Sequence, residues 1–340
     1  MVHKTLDATL TKMLADPSAD EFILADAKDA DMAFGMAAPG PGSVEDAAGR
    51  THRTLQQYRD HIRENTRQAL VDIMLMSAST SHVLAVEEGL FEDSPVTPAI
   101  RANDTTDIWQ ARGSAYGDQP SLPFRSASLD MAMCGKTPCQ PEERMLGTDL
   151  GLYSITFSNH AGTDREVLNA YARFREEAAA KGFRHFLEFF DPNAPHAPIP
   201  DVGAFMNDMI VRTLAGVAGA ERPIFLKVAY HGPDAMEELA GYDSSLIIGI
   251  MGGSSGTAFD AFHQLWEARK HGARAALYGR MINDAEDQRS FITHLRALAD
   301  GQAEPDEAVR SYHAELDRMG IRPRRPLEDD MLRTAPATSS

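Results

Sequence analysis

The octapeptide FLKVAYHG, residues 225–232, sets Lys227 in the middle of an apolar run. An ammonium is a costly occupant of such a strand, and lysine is the cation that can shed its proton and act as an amine nucleophile. The chain otherwise favours arginine: of its 33 basic residues only seven are lysines, at 4, 12, 28, 136, 181, 227 and 270. Lys227 is therefore hard to ascribe to composition. Amine chemistry at neutral pH requires roughly 4 kcal/mol of destabilisation of the ammonium form. The apolar residues before Lys227 and a second cation at the same mouth, Lys28, are expected to supply it. The competing reading is a buried ion pair between Lys227 and Glu188.

Glu188 lies in FLEFF, a carboxylate among aromatics, a setting that suits a general acid or proton shuttle. Asp26, in FILADAKD, is a further candidate for moving protons while a lysine imine forms, and Asp29 follows it. For Glu188 and Asp26 alike the alternative is service as counter-ion to Lys227 or Arg101. Tyr230 and His231, just beyond Lys227, either line the site or pack beside it. A third signal is GGSSG (252–256), which runs from an apolar stretch into a helical one. Backbone N–H groups of Gly252 and Gly253 and the hydroxyls of Ser254 and Ser255 are placed to surround an anion there. Gly279 and Arg280, in LYGRMIN, are expected to complete that site, and Arg101 and Arg125 to bind a second anion or to be structural.

These residues need a frame that brings them together. Eight short apolar runs recur: EFILAD (21–26), VDIMLMSAS (71–79), VTPAIR (96–101), LGLYSITFS (150–158), RHFLEFF (184–190), PIFLKVAY (223–230), SLIIGIMGG (245–253) and RAALYGR (274–280). Helical patterns alternate with them, clearest in TDREVLNAYARFREEAAAKG (163–182), with a threonine to cap its start and a glycine to end it. The alternation predicts an α/β fold, a (β/α)8 TIM barrel over residues 1–300, in which chemistry gathers at the C-terminal ends of the strands and anions bind after strands seven and eight. Residues 109–149, rich in Gly, Pro and Ser, form a long insertion after the third strand. Residues 301–340 are expected to add a C-terminal helix and a flexible tail.

Composition excludes several classes. A net charge of −17 repels nucleic acid. No apolar run reaches the roughly 20 residues of a membrane span, and the polar N-terminus predicts a cytoplasmic protein. Cys134 and Cys139, in CGKTPC, read as ordinary thiols with no second pair to complete a zinc site.

FLKVAYHG, IIGIMGGSSG and ALYGRMIN together resemble the second half of the class I, Schiff-base aldolase barrels of the archaeal-type fructose-bisphosphate and tagatose-bisphosphate aldolase group, and FILADAKDADMAFG fits their first strand. The resemblance implies that Lys227 forms an imine with a substrate ketone, with no cofactor. It implies that Asp26 and Glu188 assist proton transfer, and that Gly252, Gly253, Gly279 and Arg280 hold a phosphate. The expected activity is thus a lyase acting on a small anionic sugar, and barrels of this kind suggest self-association through the outer helices. Two alternatives remain: a metal-dependent barrel lyase or isomerase using Asp26, His160, Glu188 or His231 as ligands, and a non-catalytic barrel that binds a sugar phosphate.

Overall fold

The computed structural model describes residues 2–42, 44–45, 49–109, 111–253 and 256–334. Its centre is a closed barrel of eight parallel strands. We number them β1 (Ile23–Lys28), β2 (Ile73–Met76), β3 (Thr97–Arg101), β4 (Leu150–Thr156), β5 (Arg184–Phe190), β6 (Leu226–Val228), β7 (Ile248–Met251) and β8 (Ala275–Tyr278). The sheet closes because β1 pairs with both β2 and β8. Each expected apolar run overlaps one of these strands, with β1 running two residues past its run to Lys28.

Strand side chains alternate between two buried environments. Ile23, Ala25, Leu75, Leu152, Phe186 and Phe225 point inward and pack as one cluster. Helix α1 (Thr5–Ala15) plugs the bottom of that cluster with Leu6, Leu10 and Met13. The intervening residues, among them Leu24, Met74, Ile100, Leu187 and Val228, point outward against the helices. Burial on both faces explains why the strands read as continuous apolar runs.

The other principal helices are α2 (Leu55–Gln68), α3 (Ala161–Lys181), α4 (Val202–Leu214), α5 (Pro233–Tyr242), α6 (Ala258–Lys270), α7 (Gln288–Ala299) and α8 (Pro305–Met319). Side-chain caps set their starts: Thr54 and Gln57 form a capping box on α2, and Thr257 and Asp260 form one on α6. The cap of α3 is His160, whose ring accepts from the Thr163 N–H, so the helix begins earlier than its threonine suggested.

The 109–149 insertion is not featureless. Residues Asp104–Thr105 pair antiparallel with Pro123–Phe124, and Trp109 packs edge-on against Phe124 at 4.7 Å. Short helices at Leu129–Cys134 and Pro141–Leu146 follow. The tail is also more tied down than its polarity suggested. Asp330 accepts from the Ala258 N–H at 2.8 Å, and the Thr334 N–H donates to Asp260 at 2.9 Å, so the chain docks on the start of α6 as far as Thr334. No described helix is long and apolar enough to cross a membrane.

One outward-facing strand residue makes stability pH-dependent. His185 on β5 is buried, 2.8 Å from the Tyr171 hydroxyl on α3, and burial pushes its pKa down to about 4. The unfolded chain therefore binds more protons than the folded one as pH falls through the ordinary histidine range. Stability present at pH 7 is lost on approach to pH 4, by about 3 kcal/mol from this group. Urea unfolding across that range should show a shallower acid loss for His185→Gln than for wild type; parallel curves would remove His185 as the cause.

Candidate active site

The register of β4, β5 and β6 builds a polar layer directly above the apolar one. Phe186 and Phe225 stack at 4.6 Å, and two residues further on Glu188 and Lys227 face each other across the same pair of strands. The Lys227 ammonium lies 2.5 Å from Glu188 Oε1. Glu188 Oε2 accepts from the Ser154 hydroxyl at 2.5 Å and from Arg101 Nη2 at 3.4 Å. Arg101 also donates from Nη1 to Ser154 at 2.8 Å and from Nε to Asp29 at 2.6 Å. Burial opposes the Arg101 charge, but Asp29 and Glu188 outweigh it and raise its pKa above the ordinary guanidinium value.

This cluster forms the floor of a cavity of about 490 Å³ at the C-terminal mouth of the barrel, lined also by Asp107, Asp191, Gly252, Gly253, Gly279 and Arg280. A volume of that size accommodates a sugar-phosphate-sized ligand. The insertion contributes its wall through Gly117, and Asn193, in the loop after β5, ties it down by donating to the Gly117 and Gln119 carbonyls at 2.8 and 2.7 Å. Glycine is required at the far side: a Cβ on Gly252 would lie 2.1 Å from the Tyr278 ring, and Gly253 has φ +63°. Arg280 is exposed at this rim, with its guanidinium 5.1 Å from the Phe34 ring centre. Ser254 and Ser255 lie outside the described residues.

Three placements expected from sequence are corrected. Asp26 and Lys28 do not face the mouth, because they share the outward face of β1 with Leu24. There Asp26 accepts from Asn65 of α2 at 2.8 Å and pairs with the Lys28 ammonium at 3.2 Å, both fully buried. Burial pushes the Asp26 carboxyl up and the Lys28 ammonium down. The carboxylate that β1 delivers to the cavity is instead Asp29, on the inward parity. Arg125 is also absent from the cavity lining: it pairs with Glu177 of α3 at 2.6 Å and rests over Phe174. Arg101 lines the cavity as expected, but its donors are engaged by Asp29, Ser154 and Glu188. Tyr230 is buried on the outward face, and His231 pairs with Asp191 at 2.9 Å.

If the Asp26–Lys28 pair is structural, Lys28→Met should destabilise the protein by about 3–5 kcal/mol by stranding a buried carboxylate. Covalent chemistry at Lys227 should survive it. Unchanged thermal stability with lost chemistry would return Lys28 to the site.

Ser154 is the residue that reading for isolated motifs passed over, and Asp29 was noted at the end of the first strand without being given the role assigned to Asp26. Ser154 carried a usable signal, since it shares the inward parity of Leu150 and Leu152 on β4. The donors of a metal-dependent alternative are not gathered: Asp26 faces outward, His160 caps α3, and His231 is held by Asp191. Among the described residues, Cys134, Cys139 and Glu143 alone bring three ligand atoms within 4.8 Å of one another, on the insertion and away from the cavity lining. Burial pushes the Cys139 thiol up to about 12, with Cys134 beside it.

No family model matches the chain, and no curated protein matches it. Solved structures do. An archaeal fructose 1,6-bisphosphate aldolase superposes with TM-score 0.60 at 15% identity, covering 86% of this chain and 99% of that one. A fructose-bisphosphate aldolase from Slackia heliotrinireducens gives 0.63 at 13%, with 91% of each chain covered. A protein from Corynebacterium glutamicum gives 0.57 at 16%, covering 88% and 95%. Another match, at TM-score 0.59 and 16% identity, is a Schiff-base-forming fructose-1,6-bisphosphate aldolase. The structural neighbours of this chain are thus archaeal-type fructose-bisphosphate aldolases and related class I aldolases, and what it shares with them is the closed eight-stranded barrel.

Proposed function

We propose that this protein is a class I aldolase that makes or breaks a carbon–carbon bond in an anionic ketose through an imine on Lys227. The observation that carries this reading is Lys227, on β6 inside the barrel mouth, 2.5 Å from a fully buried glutamate on the floor of a sugar-sized cavity. The Lys227 ammonium passes a proton to Glu188, 2.5 Å away, and the amine so formed adds to the substrate ketone to give a carbinolamine. Glu188 moves protons between that nitrogen and the departing hydroxyl, which leaves as water. In cleavage, the electrons of the adjacent carbon–carbon bond flow into the iminium as a hydroxyl proton is removed, releasing an aldehyde and leaving an enamine. Protonation of the enamine carbon and hydrolysis of the imine return the lysine. Asp29 replaces Asp26 as the β1 carboxylate available to the site, and Gly252, Gly253, Gly279 and Arg280 supply the anion end. The imine is the electrophile, so the reaction requires no metal.

The test is intact-mass analysis after borohydride treatment with dihydroxyacetone phosphate and a panel of other ketones. A ketone-dependent covalent adduct that persists in the presence of a chelator is expected. Activity abolished by the chelator, with no adduct, would replace this reading with the metal-dependent one.

A further inference from the structure

We infer that the cavity selects a substrate with a single anionic group and an uncharged, hydroxylated far end, and that it discriminates against sugar bisphosphates. This rests on the aldolase reading above and narrows its substrate class. Three cations line the cavity among the described residues: Arg101, Lys227 and Arg280. Arg101 is committed, with Asp29 at 2.6 Å, Ser154 at 2.8 Å and Glu188 at 3.4 Å. Lys227 is the attachment point and faces Glu188. Arg280 alone of the three makes no ion pair among the described residues, and it stands beside the glycines that end β7 and β8. One cation outside any ion pair, with Asp284 near enough to favour its charge, answers one anion at that rim.

The opposite rim carries the other sign. Asp107 comes from the β3–β4 connection, about half-way round the barrel from β8, and Asp191 follows β5. Asp107 accepts from the Ser121 and Thr156 hydroxyls at 2.9 and 2.8 Å, and Asp191 from the His231 side at 2.9 Å. The described cation on this side is Arg101, at the end of β3, and its donors are already engaged by Asp29, Ser154 and Glu188. Asn193 spends its amide N–H groups on Gly117 and Gln119, so its carbonyl oxygen is what it offers the cavity. A rim of acceptors binds donors. Sugar hydroxyls satisfy it, whereas a second phosphate meets carboxylates there and must compete with Asp29 and Glu188 for the Arg101 guanidinium.

Calorimetry on the full chain with hexitol 1-phosphate and hexitol 1,6-bisphosphate, which cannot form imines, tests this without the chemistry. The monophosphate should bind at least about tenfold more tightly, and Arg280→Gln should remove most of that affinity. Asp191→Asn should narrow the gap by improving the bisphosphate. Equal or tighter binding of the bisphosphate by wild type, or no binding of either at millimolar concentration, overturns the inference. Borohydride trapping separates it from the reading beneath it. An adduct together with bisphosphate preference sinks the one-anion inference and leaves the aldolase; monophosphate preference without any ketone adduct sinks the aldolase and leaves a barrel that binds a single anion.

Discussion

Lys227→Met should abolish the borohydride-trapped adduct and lower kcat by a factor on the order of 10⁴ or more, since loss of a covalent nucleophile is not compensated by binding alone. Methionine preserves most of the buried stem, so the barrel should fold; thermal denaturation of the variant checks this. The sharper variant is Lys227→Arg. It keeps a cation opposite Glu188, 2.5 Å from the native ammonium, but offers no amine that can form an imine. If the lysine served only to neutralise Glu188, the arginine variant would retain wild-type turnover. Inactivity of both variants, with both folded, assigns the function to the amine.

Glu188→Gln should lower kcat by about 10²–10⁴-fold with little change in KM, the loss typical of a removed proton-transfer group. The same substitution should cost stability, because Glu188 is the shared counter-charge of Arg101 and Lys227 and lies fully buried between them. Breaking a buried pair in this way costs about 3–5 kcal/mol. Measuring melting temperature and turnover on the same preparation separates the two effects. Wild-type kcat in a folded but less stable Glu188→Gln protein would make Glu188 a counter-ion and move proton transfer elsewhere, with Asp29 the next carboxylate to test.

The cavity and its contents differ in how far they could be read from residues. The eight strands were legible because parallel strands buried on both faces leave apolar runs between polar helix caps. Lys227 and Glu188 were legible for a related reason: each is a charge inside such a run, and each proved to face the barrel interior at the same register level. The glycines after β7 and β8 were found by position, and Gly252 owes its identity to the Tyr278 ring against which it packs.

The same both-sided burial that made strands easy to find concealed which way their polar residues point. All six residues of β1 are buried, so nothing in ILADAK distinguishes the inward face from the outward one. Only closure of the barrel, with α2 supplying Asn65 to Asp26, assigned Asp26 and Lys28 to the helix layer and Asp29 to the cavity. Arg101 likewise read either as an anion binder or as a structural cation until the fold brought Asp29 and Glu188 to it from 72 and 87 residues away in sequence. Local sequence thus determined the strands, the lysine and the glutamate, because burial and period are local properties. The tertiary structure decided which charges are paired and which are free, because pairing depends on residues that only the closed barrel makes neighbours.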